Sequence, residues 1–168
     1  MASLSENFPI EMYNPDVYAT PGSFKLLAFI ADMCNYDCEY CYNVKPRTGL
    51  MLDLAVLRQF VVDVLIGQMH RDAVHIELIG GEPALHPDLP VFCSDMAAVE
   101  NAYITIFSNF SKPAEYYRAL LDSNSRVKLI LSWHSADGRR SSDFIDKLDG
   151  FSEDQLRNRI TVSVIYEH

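Results

Sequence analysis

Five short apolar runs, each separated from the next by a helical pattern, constrain this chain more than any other feature. Lys25 to Ala31 (KLLAFIA), Val74 to Ile79 (VHIELI), Tyr103 to Phe107 (YITIF), Val127 to Trp133 (VKLILSW) and Ile160 to Tyr166 read as strands. The first helical stretch, Leu52 to Leu65, puts Leu54, Leu57, Val61, Val64 and Leu65 on one face. Asp88 to Glu100, Pro113 to Asp122, Ser141 to Leu148 and the shorter Glu153 to Arg159 supply the others. Strict alternation of strand and helix demands a parallel sheet with right-handed crossovers. The expected class is therefore α/β, and a doubly wound sheet and a (β/α) barrel both satisfy the pattern. In either, ligands gather at the C-terminal ends of the strands. The first 23 residues, broken by Pro9, Pro15, Pro21 and Gly22, read as an irregular arm ahead of one domain over residues 24–168.

Composition narrows the partners. With 49% hydrophobic and 22% charged residues, the chain has the make-up of a soluble globular domain. No apolar run reaches bilayer length, and Met1 to Asn14 lacks a basic start followed by an apolar stretch. A cytoplasmic protein with no membrane partner is expected. Net charge is −9, from 14 basic and 23 acidic residues, and the densest basic spot is the pair Arg139-Arg140. A nucleic acid polymer needs clustered cations to neutralise its phosphates. Such a partner is disfavoured, whereas a nucleotide-sized ligand is not.

Residues able to carry chemistry fall at strand ends: Cys34 after the first, Gly80 after the second, Asn109 after the third, His134 after the fourth. Three of the four cysteines form Cys34-Asn35-Tyr36-Asp37-Cys38-Glu39-Tyr40-Cys41, a C-x3-C-x2-C spacing. A disulfide framework would spread its cysteines through the chain. Three thiolates on one loop can each hold one iron of a cubane cluster, leaving the fourth iron without a protein ligand. That open position is what a catalytic metal needs. Zinc completed by His70, His75 or His134 is the alternative, although no paired C-x2-C element accompanies the loop. Cys93, beside Val91, Phe92 and Met96 in a helical stretch, reads as a core thiol.

After the second strand comes Ile79-Gly80-Gly81-Glu82-Pro83-Ala84-Leu85-His86-Pro87. Two glycines allow close approach of the backbone to a ligand, and Glu82 offers a carboxylate to an ammonium group. Alone, GGEP is equally an ordinary turn with an exposed glutamate. The cysteine spacing followed about forty residues later by GGEP, each after a strand, resembles the radical S-adenosylmethionine (SAM) superfamily over roughly Phe24 to Tyr166. The resemblance implies a partial barrel with Cys34, Cys38 and Cys41 holding a [4Fe–4S] cluster. It implies Tyr40 beside the SAM adenine, and Gly80, Gly81, Glu82 and Pro83 at the methionine amino group. Ser108-Asn109, Ser132 and His134 take the positions that contact the SAM carboxylate and ribose. The implied function is reductive cleavage of SAM to a 5′-deoxyadenosyl radical that abstracts hydrogen from a substrate, the work of an oxidoreductase-type enzyme.

The tract CNYDCEYCYN with GGEPALHPD is most similar to the peptide-modifying (SPASM-like) branch, but no auxiliary cysteine set follows. A small-molecule or peptide substrate and an electron donor such as flavodoxin or ferredoxin are implied partners. The family barrel is usually six-stranded and five strands are counted, so the domain reads as C-terminally short. Its open parallel edge favours an oligomer or a partner chain that covers it. The alternative function is a catalytically incomplete cluster- and SAM-binding module, a sensor or partner subunit. Trp133, in phase with Val127, Leu129 and Leu131, is expected to pack against a helix.

Overall fold

Parallel pairing in sequence order builds the sheet. The computed structural model describes residues 22–41, 47–134 and 138–165, with backbone alone at 134, 138–142 and 165. Strands run over Ser23–Ala31 (β1), Ala73–Gly80 (β2), Ala102–Ser108 (β3), Val127–His134 (β4) and Ile160–Ile165 (β5). Every neighbouring pair is parallel, and the order is β1-β2-β3-β4-β5. A doubly wound sheet reverses its strand order partway. The sequential order therefore selects the other expected architecture, a partial (β/α) barrel of five strands. The expected arm lies almost wholly outside the described residues, as do Tyr42, Asn43 and Tyr166; β1 already begins at Ser23.

Side-chain alternation divides the sheet into two faces. On the outer face Ile30, Val74, Ile76, Leu78, Ala102, Ile104, Ile106, Val127, Leu129 and Leu131 are all exposed by 1% or less. They share one core with Leu54, Leu57, Val61, Leu65, Leu89, Phe92, Met96, Leu120 and Leu121 from the helices. Trp133 is half-buried against the same core, as its phase on β4 predicts. The inner face is open: Leu27, Phe29 and Tyr103 are exposed by 51%, 56% and 41%.

The helices are Leu54–Gln59 (α1), Leu89–Asp95 (α2), Ala114–Ser123 (α3), Gly138–Leu148 (α4) and Glu153–Asn158 (α5). Asp53 caps α1 by accepting from the backbone N–H groups of Ala55 and Val56, and Ser152 and Gln155 form a reciprocal capping box on α5. Two helices differ from expectation. Beyond Gln59 the first widens into a π-helical stretch, Phe60–Gln68, ending on Met69 N–H to Val64 O at 2.8 Å. The β-branched Val61, Val62 and Val64 crowd an α-helical turn, and the wider turn gives them room. The second, expected to reach Glu100, gives way to a 3-10 turn at Met96–Ala98. There the Arg126 guanidinium takes the carbonyls of Ala97 and Val99 at 2.7 and 3.2 Å, satisfying acceptors that a helix end leaves open, and that of Ala102 at the start of β3 at 3.1 Å. Among the described residues no helix is long and apolar enough to cross a membrane.

Candidate active site

The loop that leaves β1 is tied at its base. Segment 48–52 returns beside the strand end, with Leu52 N–H on Ile30 O (2.9 Å), Asp32 N–H on Leu50 O (3.1 Å) and an antiparallel bridge between Ala31 and Met51. The Asp32 carboxylate accepts from the N–H (2.7 Å) and hydroxyl of Thr48, and the hydroxyl bond is the main influence holding its pKa below the ordinary value. Arg47 donates to Cys34 O (3.0 Å) and Tyr36 O (2.6 Å), fixing the loop across its width. Cys34, Cys38 and Cys41 are half-buried, and none is in a disulfide. Tyr36 N–H approaches Cys34 Sγ at 3.4 Å, and Cys41 N–H closes a turn on Cys38 O at 3.2 Å. Burial, the largest influence, pushes the Cys34 thiol up.

The two glycines do something other than leave room for a ligand. A Cβ on Gly80, at φ +142°, would lie 2.1 Å from Ala31 O, and one on Gly81 would lie 2.1 Å from Met33 O. The bare backbone instead donates from Gly81 N–H to Ala31 O and from Glu82 N–H to Met33 O, both at 2.7 Å. The GG turn thus continues the β1–β2 pairing onto the cysteine loop itself, and any side chain here would push that loop away. Both glycines still border the cavity.

Glu82 is exposed by only 1%, which removes the alternative of an ordinary turn with an exposed glutamate. Its Oε1 accepts from Ala84 N–H (2.9 Å) and the Ser108 hydroxyl (2.7 Å), and its Oε2 from Asn109 N–H (2.6 Å). Burial raises its pKa and these three donors oppose the rise, led by Asn109. Since the single Ser108 proton goes to Glu82, the Tyr117 hydroxyl, 2.9 Å away, donates to Ser108 Oγ. Tyr117 in turn accepts from Lys112 N–H at 3.3 Å. A carboxylate has about four acceptor positions, so one on Oε2 stays available to a ligand. Asn109 spends its amide on the cysteine loop, donating to Asn35 Oδ1 (3.0 Å) and approaching Cys34 Sγ (3.7 Å). The next residue, Phe110, holds φ +59° while buried among Tyr117, Phe144 and Phe151. A bulky residue in that region is strained and persists only where packing dictates it. The kink it makes lies beside the Asn109 N–H that meets Glu82.

A cleft of about 250 Å³ lies between these parts. Cys34, Cys38, Cys41, Tyr40, Gly80, Gly81, Glu82, Pro83, Asn109 and Ser132 all line it, drawn from four strand ends. Tyr36, Ile79, Phe107 and Ser108 complete the wall, and of these only Ser108 is expected there from the sequence. His134 ends β4 opposite Ile165, two residues past Ser132, and its side chain lies outside the described set. Cys93 is elsewhere, fully buried in α2, its thiol pushed up to about 12 by burial. His70 precedes β2 and His75 is its third residue, so both lie toward the opposite end of the sheet from the cysteines.

The family model for the radical SAM superfamily matches residues 29–158, well over half of the chain. The chain belongs to the radical SAM superfamily. Its fold is similar to that of BtrN, solved in complex with AdoMet and 2-DOIA, at TM-score 0.67 and 18% identity over 83% of this chain and 56% of that one. It is also similar to anSMEcpe with bound AdoMet, at TM-score 0.57 and 19% identity over 86% and 42%. At such identities the likeness is one of fold. This radical SAM chain spans about half the length of those proteins, and no curated protein matches it.

The superfamily implies a [4Fe–4S] cluster and SAM, and the donor set fits both. Three thiols on one loop border one cleft, with backbone and carboxylate acceptors on its far wall. Among the described residues no three Cys, His, Asp or Glu side chains are gathered tightly enough to share one ion.

Proposed function

We propose that this chain holds a [4Fe–4S] cluster through Cys34, Cys38 and Cys41, binds SAM in the cleft, and abstracts hydrogen from an organic substrate. When bound, the cluster supplies the electron that splits the SAM sulfonium into methionine and a 5′-deoxyadenosyl radical. The protein's part is to hold, orient and shield. The spare acceptor of Glu82 and the backbone of Gly80 to Pro83 bind the methionine amino group. Tyr40, exposed by 41% at the rim, lies against the adenine. Ser132 and His134 meet the carboxylate and ribose, and Asn109, whose N–H groups are taken, offers the remaining lone pair of Oδ1 to a ribose hydroxyl. The observation that carries this reading is the convergence of the cysteine loop, GGEP and the ends of β3 and β4 on one cleft. Electrons come from a small donor protein such as flavodoxin or ferredoxin, and the substrate is a small molecule or a peptide.

The test is anaerobic: reconstitute the cluster, add dithionite and SAM, and assay 5′-deoxyadenosine by chromatography. Product formation supports the enzyme. A full complement of iron and sulfide without product favours the second reading, a cluster- and SAM-binding module that works with another chain. That reading draws on β5, which among the described residues pairs only with β4 and leaves Val162 and Val164 exposed by 40% and 60%. An uncovered edge of this kind invites a partner or a second copy.

A further inference from the structure

We propose that the inner face of the sheet below the cleft recognises the anionic end, carboxylate or phosphate, of the substrate, with Lys128 as its cationic anchor. This rests on reading the cleft as the place where substrate reacts.

The strand register sorts the inner face into rows. Phe107, which borders the cleft, is level with Ile130. One row down, Leu27, Glu77, Thr105 and Lys128 stand side by side across β1 to β4. Successive rows are two residues apart, about 7 Å along a strand. A substrate whose reacting carbon sits at the cleft would reach Lys128 with a group about that far away.

Among the described residues the charged groups in this lower part are unevenly paired. Lys25 and Glu77 pair at 2.7 Å. His75 stacks on Tyr103, ring centroids 5.0 Å apart. Burial first, then Lys128 and Lys25, hold the imidazole pKa below its ordinary value against the pull of Glu77. Lys128 forms no ion pair among the described residues. The exposed Lys128 ammonium thus stands on the open inner face of a chain whose overall charge is −9. The neighbours argue against a plain solvated surface: Leu27 and Tyr103, half-exposed on the same face, supply apolar area to a ligand's body. An apolar molecule with one anionic terminus matches the apolar area and the exposed ammonium of this face.

The probes are phenyl phosphate and phenylacetate, with benzyl alcohol as the neutral control, titrated calorimetrically into the full chain with and without reconstituted cluster. We expect at least one anion to bind and benzyl alcohol to bind about tenfold more weakly or not at all. Lys128→Gln should raise the anion Kd about tenfold, and Lys128→Arg should restore it. Lys128 is exposed, so both variants fold, which a thermal melt verifies. The tighter anion tells phosphate from carboxylate. No anion binding, equal binding of benzyl alcohol, or an unchanged Kd in Lys128→Gln overturns the proposal. The titration needs no turnover. Anion binding without 5′-deoxyadenosine would sink the proposed function and leave this site standing; product without anion binding would do the reverse.

Discussion

The two faces of the sheet answer to different demands. Ten outer-face side chains from β1 to β4 are exposed by 1% or less and none carries a charge. The inner face carries Lys25, His75, Glu77, Tyr103, Lys128 and Ser132 among its apolar residues, and much of it is open. The outer face maximises area removed from water, worth roughly 25 cal/mol per Å². Some polar groups on the inner face have specific partners, as Lys25 and Glu77 do, and most residues that border the cleft belong to that face or to the loops above it. The packed core and the cleft lie on opposite sides of the same strands. Substitutions on the two sides should therefore fail in different ways.

The sharpest break comes from the cysteines. Replacing Cys34, Cys38 or Cys41 by alanine should abolish the reconstituted cluster, measured as iron and sulfide per chain, while leaving the fold intact. Cys93→Ala, in the helix layer, should keep the full iron and sulfide content. If Cys93 proves equally necessary, the open three-thiolate site is wrong. On the outer face the pattern inverts. Ile76→Ala removes a side chain with no solvent exposure and should cost about 3 kcal/mol in urea unfolding, with cavity formation adding to lost transfer energy. Whatever protein remains folded should still take up iron.

Gly81→Ala tests the seam between the faces. Its Cβ would overlap Met33 O, so the cysteine loop has to move or the turn has to detach. A loss on the order of 3 kcal/mol, together with weakened SAM binding, is expected. Unchanged SAM affinity in a stable Gly81→Ala protein would show that the latch onto the loop has no part in the site. Ser108→Ala is subtler. It takes one donor from Glu82 and strands the buried Tyr117 hydroxyl, for about 2 kcal/mol. Iron content should hold while SAM affinity falls, and an unaltered affinity would reduce the Glu82–Ser108–Tyr117 chain to a structural brace.

How much of this could be read from residues alone follows from distance along the chain. The strands and cysteines are local patterns, and each strand lies within two residues of where its apolar run put it. GGEP was legible as a site element, yet the reason for its glycines was not, because Ala31 and Met33 lie about fifty residues earlier. Whether Glu82 is exposed or enclosed is not legible locally, since its partners Ser108 and Asn109 stand at the end of the next strand. Tyr117 sat unremarked in an amphipathic helix; its buried hydroxyl acquires meaning only once β3 is beside it. Arg47 and Asp32 flank the cysteine run as ordinary charged residues until the loop closes on them. Phe110 gives no signal at all, because a bulky side chain at positive φ is the opposite of what local preference predicts.

The smallest effect is the most telling about the inner face. Leu27 stands on β1 in register with Glu77, yet half of it is exposed. If this face is only the unfinished side of a core, Leu27→Ser should change stability by no more than about 0.5 kcal/mol and alter nothing else. If it is a wall of a substrate site, the same small stability change should come with weaker binding of phenyl phosphate or phenylacetate, because the ring loses apolar contact while Lys128 stays in place. Calorimetry and a urea melt on one variant separate the two. An unaltered Kd would confine recognition to Lys128 and its polar neighbours. A drop in stability of several kcal/mol would mean that Leu27 is buried in solution, and the two faces would then differ less than their exposure indicates.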